Sequence, residues 1–279
     1  MKIYISTDME GMAGITQPSE EKNERERFRQ ALHDQLSWII EGIHQSPKND
    51  TIEEITISDS HGDGINLSYG YLSQLDDRIS LVSGSPRKHF MMSCLDDSYD
   101  VVFFAGYHAG PGEAHACMDH CYSGKVVHAM YINDIWQNES TCNAALAAHY
   151  GVPVGLVVGD SGLRSQLIDE ERMPWVEYVT TKESLSRYSA KHLPQRKLRQ
   201  DTIDAVIRTL DKDLTKLPLY KVEEPCRLKF HFNNTAQADM VAQVPGTIRE
   251  DGRTVSIVCR DMVELECGVS ALTAIAGLG

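Results

Sequence analysis

Carboxylate side chains follow the first apolar stretch of this sequence, where they could bind a metal ion. Asp8 and Glu10 come directly after the apolar run of residues 2–7. Two positions apart, they would share one face of a strand, and in a loop just after it both could reach a single metal. An aspartate in such a place can equally accept a local backbone hydrogen bond in a turn. The pair by itself does not decide between these two roles.

Three further side chains could complete such a site. His61 follows the apolar run 52–58, and His108 follows the run 100–105. A buried histidine needs partners for its ring nitrogens, and a neutral imidazole is a good zinc ligand. Glu139 lies at the start of a predicted helix, where the helix dipole also favours an acidic residue. Together these carboxylates and imidazoles form a nitrogen and oxygen ligand set that suits zinc or a similar divalent ion.

Other polar residues in similar places are open to two interpretations. His115 and His120 lie in the glycine-rich segment 109–120, which we interpret as an active-site loop. Either histidine could carry a proton in catalysis. Asp160 ends another apolar run, as a ligand would, but an aspartate there can also cap the following helix.

The composition restricts the class of protein. The 279-residue chain has a formal net charge of −13, which argues against nucleic-acid binding. No apolar run approaches the roughly 18 residues of a membrane helix, and Asp8 and Glu10 would interrupt the core of a signal peptide. We therefore expect a cytoplasmic protein without a membrane partner. The seven cysteines are an odd number, and we expect them to be free thiols.

Apolar strands alternate with helical segments in the first two thirds of the chain. This alternation predicts an α/β fold with a doubly wound, mostly parallel sheet. The strand ends of such a sheet meet at one edge, where ligands bind, so we expect the candidate ligands to meet there. The predicted strands are residues 2–7, 52–58, 79–83, 100–105, 125–132 and 154–158, and the predicted helices are residues 20–45, 139–150 and 161–171.

The pattern changes after about residue 180, which indicates a second unit. We predict a metal-binding α/β catalytic domain over residues 1–182 and a smaller C-terminal α+β domain over residues 183–279. The second unit is expected to contain a helical region over 183–212 interrupted at Pro194, strands with two-residue alternation at 226–232 and 254–259, and an apolar helix at 262–276.

Short motifs along nearly the whole chain match one family of enzymes. These motifs are Asp-Met-Glu-Gly at 8–11, Asp-Ser-His at 59–61, Gly-Tyr-His at 106–108, Tyr-Ile-Asn-Asp at 131–134, Asn-Ala at 143–144, Val-Pro-Val at 152–154, Gly-Asp at 159–160, Pro-Gly-Thr at 245–247 and Asp-Met at 261–262. With this order and spacing, the chain resembles the DppA-type zinc D-aminopeptidases, a family of binuclear metallopeptidases. No single motif is specific, but the set is.

The resemblance implies a hydrolase that releases N-terminal D-amino acids from short peptides or amides with two Zn²⁺ per subunit. It also implies a homo-oligomer, such as a decameric ring. The family's catalytic histidine follows a Met-x-His pattern, which falls on His120, although the longer loop here adds His115 as a second candidate. The metal ligands implied by the resemblance are Asp8, which would bridge the two ions, Glu10, His61, His108 and Glu139.

Two other functions use a similar fold or similar ligands. One is a peptide-binding or transport-associated protein without catalysis, and a complete ligand set argues against it. The other is a binuclear metal phosphoesterase, whose site would add basic residues for phosphate. The motif segments contain few lysines and arginines, which argues against this second alternative.

Overall fold

The computed structural model describes residues 1–279, and none of its helices is long and apolar enough to cross a bilayer. All seven cysteines are unpaired, as expected. The strands are β1 (Lys2–Thr7), β2 (Glu54–Asp59), β3 (Ile79–Val82), β4 (Val101–Tyr107), β5 (Val127–Ile132), β6 (Ile135–Gln137), β7 (Val154–Gly159), β8 (Glu177–Thr180), β9 (Lys182–Ser186), β10 (Ser189–His192), β11 (Cys226–Phe232), β12 (Thr247–Arg249) and β13 (Thr254–Cys259). The α-helices are α1 (Glu20–Asn23), α2 (Arg25–Gln45), α3 (Tyr69–Leu75), α4 (Glu139–His149), α5 (Ser161–Arg164), α6 (Gln195–Asp211), α7 (Thr235–Val241) and α8 (Met262–Ala276).

The larger sheet has six parallel strands in the order β3-β2-β1-β4-β7-β8. Every residue of β4 is buried, as expected for a parallel sheet that is covered on both faces. Side chains of β1 alternate between two apolar cores, with Ile3 and Ile5 on the side of α2 and Tyr4 on the side of α4. This architecture confirms the predicted α/β fold with a mostly parallel sheet.

The smaller sheet has five antiparallel strands in the order β12-β13-β11-β5-β6. The strand predicted at residues 125–132, which corresponds to β5, was expected to belong to the parallel sheet. That prediction is wrong. It pairs with β11, so that Ile132 lies opposite Leu228. The smaller sheet therefore takes strands from both sides of residue 182, and the division into domains 1–182 and 183–279 stays a prediction.

The segment 183–212 is helical only in its second part. Strands β9 and β10 form an antiparallel hairpin, and α6 begins at Gln195, directly after Pro194. Serine competes with helix formation through its side chain, and proline fits best at a helix start, which explains why this stretch does not form one long helix. The hairpin turn, at Arg187 and Tyr188, lies beside the loop that contains His120.

The ends of β1 and β4 approach each other so closely that both require glycine. A Cβ on Gly11 would lie 1.8 Å from the carbonyl oxygen of Tyr107. Gly106 has a φ of +75°, and a Cβ there would lie 2.3 Å from the carbonyl oxygen of Asp8. Hydrogen bonds from Asp8 N to Ala105 O (2.8 Å) and from Gly11 N to Gly106 O (2.7 Å) join the two segments. Gly11 of the Asp-Met-Glu-Gly motif and Gly106 of the Gly-Tyr-His motif therefore allow Asp8 to lie beside the end of β4.

Candidate metal centre

Five side chains predicted as metal ligands meet at the carboxyl edge of the larger sheet. β1, β2 and β4 are neighbours, so the residues that follow them come together there. Glu139 reaches the same place from the first turn of α4, whose start is capped by Asn138 and Thr141. Four of the five side chains lie in residues that are at most 4% exposed, and the imidazole of His61 is 16% exposed.

One group of ligand atoms surrounds His61. Its Nδ1 lies 3.2 Å from Asp8 Oδ1 and 3.3 Å from Glu10 Oε2. Around a tetrahedral zinc ion with bonds of about 2.0–2.1 Å, neighbouring ligand atoms lie about 3.3 Å apart. The two distances from His61 Nδ1 therefore match the edges of a zinc tetrahedron, and all three ligand atoms lie within 4.8 Å of one another.

A second group surrounds His108. Its Nε2 lies 3.6 Å from Asp8 Oδ2 and 3.5 Å from Glu139 Oε2. Its Nδ1 is 2.9 Å from the carbonyl oxygen of Ala109, which can only accept, so Nδ1 donates and Nε2 is the nitrogen that would bind a metal after losing any proton. Asp8 presents one oxygen to each group, which is the arrangement that a bridging carboxylate needs.

The polar atoms at the centre have no hydrogen-bond partner in the protein. These atoms are Asp8 Oδ2, Glu10 Oε2 and His108 Nε2, and all three are buried. A buried polar atom without a partner costs about 1–3 kcal/mol, more when the group is charged. A divalent cation in each of the two groups would satisfy these atoms, so the residues fit a metal centre.

Opposite charges partly balance each other within this buried cluster. Burial, together with the charges of Glu10 and Glu139, raises the pKa of Asp8 to about 7. Burial alone would lower the pKa of His108, but Glu139 and the other carboxylates raise it to about 10. Burial alone would likewise raise the pKa of Glu10, but His61 and the other histidines lower it well below its usual value. Protons therefore occupy the site near neutral pH, and metal binding must displace them.

His120 lies against the ligand set with one ring nitrogen facing it. Its Nε2 is 3.9 Å from Glu10 Oε1 and 3.8 Å from Glu139 Oε1, and its ring stacks on His108 with centroids 4.4 Å apart. Its Nδ1 donates to the carbonyl oxygen of Met118 at 2.8 Å, so Nε2 is the free acceptor. This nitrogen is placed to accept a proton at the site.

His115, the second candidate, is directed elsewhere. Its side chain is exposed, and its Nδ1 lies 3.1 Å from the carbonyl oxygen of Leu185 on the hairpin. None of the candidate ligands contacts its ring by hydrogen bond or ion pair. The geometry thus favours His120 over His115 for chemistry at the centre.

Asp160 caps a helix, which was one of its two predicted roles. Its Oδ1 accepts the backbone N–H of Leu163 in α5 at 3.0 Å, and its Oδ2 accepts the hydroxyl of Ser184 at 2.6 Å. Both carboxylate oxygens are thus engaged away from the candidate ligands.

Glu21, which no sequence pattern indicated, contacts the side of the His61 imidazole opposite Asp8. Its Oε2 lies 3.5 Å from His61 Nε2, the ring nitrogen that points away from Asp8. A carboxylate in this position fixes the tautomer and orientation of a ligating imidazole and makes it more basic. An acidic residue in the first turn of α1 gives no sequence signal for this role, because such residues are common there.

Replacing Glu21 with glutamine is expected to weaken zinc binding by about 10- to 100-fold, because the partner of His61 loses its charge. Competition with a chromophoric chelator would measure the change. Glu24→Gln is the matched control, since Glu24 is nearby but pairs with Arg27 at 2.6 Å. Equal affinities for zinc in both variants and the parent protein would contradict this role.

Lys182 supports the segment that carries Glu10. Its Nζ is fully buried and donates to the carbonyl oxygens of Glu10 (2.5 Å), Met12 (3.0 Å) and Ile15 (2.6 Å). Burial lowers the pKa of this lysine. Three carbonyl acceptors on one ammonium hold the chain between β1 and α1 in a single conformation, which orients Glu10.

Asp59, of the Asp-Ser-His motif, shapes the loop rather than the metal centre. Its carboxylate accepts the backbone N–H groups of Asn66 (2.6 Å) and Leu67 (2.8 Å). The side-chain amide of Asn66 in turn donates to the carbonyl oxygen of His61 at 2.9 Å. This network fixes the backbone from which the His61 imidazole projects.

Comparisons with known proteins identify the family of this chain. The model of peptidase family M55, described as D-aminopeptidase, matches residues 1–269. A D-aminopeptidase of Bacillus subtilis (strain 168) is 32% identical over 281 aligned positions, which cover 99% of this chain and 98% of that protein. The solved structure of the Zn-dependent D-aminopeptidase DppA from Bacillus subtilis, described as a self-compartmentalizing protease, has a TM-score of 0.90 at 28% identity and covers 99% of this chain and 98% of that one. The resemblance drawn from the motifs is confirmed, and this chain belongs to the M55 family of D-aminopeptidases.

Proposed function

We propose that this metal-dependent aminopeptidase holds two zinc ions per subunit and releases N-terminal D-amino acids from short peptides or amides. The observation that carries the proposal is the position of Asp8, whose two oxygens face separate groups of ligand atoms around His61 and His108. The family and the Zn-dependent relative support zinc and hydrolysis.

In the proposed mechanism, the protein orients the reactants and moves one proton. When bound, zinc supplies a Lewis acid that polarises the scissile carbonyl and lowers the pKa of the attacking water. His120 accepts the proton of that water at Nε2 and delivers it to the leaving amine. The same lone pair would also permit direct attack on the carbonyl carbon, in which an acyl-imidazole forms as the bond to the amine breaks, the amine takes a proton from water, and a second water hydrolyses the acyl-imidazole. The carbonyl oxygen of Met118 keeps Nε2 directed at the site by accepting a hydrogen bond from the N–H of Nδ1.

Selectivity for a chain end requires that the free amino group be held. The carboxylates that surround the centre, with Glu10 at the wall of an open cleft, provide negative charge for an ammonium group. Preference for D over L residues is proposed from the description of the relatives, which are D-aminopeptidases.

The proposal is tested by hydrolysis of D-alanyl and L-alanyl amides with protein of measured metal content. We expect cleavage of the D-substrate to increase with zinc up to two ions per subunit, to be lost after chelation and to return with zinc. A phosphate ester such as p-nitrophenyl phosphate tests the phosphoesterase alternative. Cleavage of the ester but not of either amide, or undiminished amidase activity in metal-free protein, would overturn the proposal.

Assembly is proposed from the same family membership. The relative is described as self-compartmentalizing, and we propose that this chain also forms a homo-oligomer, with a decameric ring as the expected size. Light scattering coupled to size-exclusion chromatography would measure the number of subunits. The cytoplasmic location expected from the sequence stays a prediction.

A further inference from the structure

The β9–β10 hairpin is fastened to the loop that contains His120. The backbone N–H of Met118 donates to the carbonyl oxygen of Arg187 at 2.7 Å, and His115 contacts the carbonyl oxygen of Leu185 at 3.1 Å. These bonds hold the hairpin turn beside the candidate centre. Arg187 is therefore positioned by its backbone as well as by its side chain.

The guanidinium of Arg187 is only partly engaged by the protein. Its Nη1 donates to the carbonyl oxygen of Asp119 at 2.7 Å and to the carboxylate of the same residue, and its Nε donates to Tyr188 Oη at 3.2 Å. Nη2 has no hydrogen-bond partner in the protein, and the side chain is 46% exposed. Two N–H groups of a fixed guanidinium thus remain available to a ligand.

These free N–H groups lie near His120. A Cβ on Gly124 would be 3.5 Å from Arg187 Nη2 and 3.8 Å from Cγ of His120, so a glycine keeps the space between them open. A cleft of about 440 Å³ runs past both side chains and reaches Glu10. Arg187 and the exposed Lys125 are the only lysine or arginine residues that line it.

The separation between His120 and Arg187 suits a substrate whose second residue ends in a carboxylate. In a dipeptide, the carboxylate lies about 4–5 Å beyond the scissile carbonyl carbon along an extended chain. With that carbon next to His120, the carboxylate comes within reach of Arg187. A guanidinium is the side chain best suited to bind a carboxylate. The chain as a whole carries a net charge of −13, which would repel an anionic substrate end.

We propose that Arg187 binds the C-terminal carboxylate of a dipeptide substrate through Nη2, so that the enzyme prefers free dipeptides to their amides. This inference rests on the proposed aminopeptidase function. It assigns Arg187 a role in specificity, while the bonds of Nη1 to Asp119 keep the guanidinium in place.

The test compares D-alanylglycine with D-alanylglycinamide, which differ only in the terminal charge, using the zinc-loaded enzyme. We expect kcat/KM to favour the acid in the parent protein, and this acid-to-amide ratio to fall about tenfold in Arg187→Gln, mainly through KM for the acid. Arg187→Lys should retain part of the preference. The ratio of two substrates is insensitive to a general loss of activity from a disturbed loop.

Lys125→Gln is the matched control, because it removes the other cation of the cleft. Its acid-to-amide ratio should stay within about twofold of the parent value, as expected for an exposed charge. An unchanged ratio in Arg187→Gln, no preference for the acid in the parent protein, or an equal fall in Lys125→Gln would overturn the inference while leaving the aminopeptidase intact. If the zinc-loaded protein cleaves neither substrate, the proposed function fails and this inference fails with it.

Discussion

Asp8→Ala is expected to lose most of its bound metal and to lower kcat/KM by at least about a thousandfold. Each oxygen of Asp8 faces a different group of ligand atoms, so one substitution removes a ligand from both. The metal contribution to catalysis is worth several kcal/mol, and each 1.36 kcal/mol corresponds to about tenfold in rate. Elemental analysis and hydrolysis of a D-alanyl amide would measure the two effects together.

Asp63→Ala is a suitable control for this change. Asp63 is an exposed carboxylate two residues after His61, and it makes no side-chain hydrogen bond or ion pair. Its metal content and turnover should match those of the parent protein. Full activity with a full metal complement in Asp8→Ala would contradict the bridging position that we propose for Asp8.

His120→Ala is expected to lower kcat by about 10²- to 10⁴-fold, the usual range for loss of a general acid–base group. Metal content should remain near that of the parent protein, because His120 is not among the five proposed ligands. The comparison of kcat with metal stoichiometry distinguishes a proton carrier from a ligand.

His115→Ala provides the matching control in the same loop. Its ring contacts the hairpin rather than the ligand set, so activity should stay within about twofold of the parent value. A loss in His115→Ala as large as that in His120→Ala would contradict the assignment. Loss of metal from His120→Ala would instead identify His120 as a ligand.

The meeting of the candidate ligands was predictable from the sequence because of how parallel sheets are built. Each apolar run ended in a polar residue, and neighbouring parallel strands end on the same edge. The glycines of the motifs also carried information, since Gly11 and Gly106 stand where a Cβ would collide with backbone. The family resemblance then assigned roles that spacing alone left open.

The partners of these residues were not predictable, because their contacts join distant parts of the chain. Glu21 is ordinary as an acidic residue in a first helical turn, and a lysine such as Lys182 normally lies at the surface. Arg187 lies in a stretch that was expected to be helical. This stretch instead forms a hairpin, with Arg187 in its turn. No local pattern distinguishes these residues from the other charged side chains.

Local periodicity and short motifs were sufficient to predict the parallel sheet, the candidate ligands at its carboxyl edge and the family. Three features are visible only in the folded chain: β5 joins the antiparallel sheet, His120 rather than His115 faces the ligands, and Asp160 caps a helix. The physical reason is that pairing of strands and orientation of side chains depend on packing between segments far apart in the chain, which a local pattern does not encode.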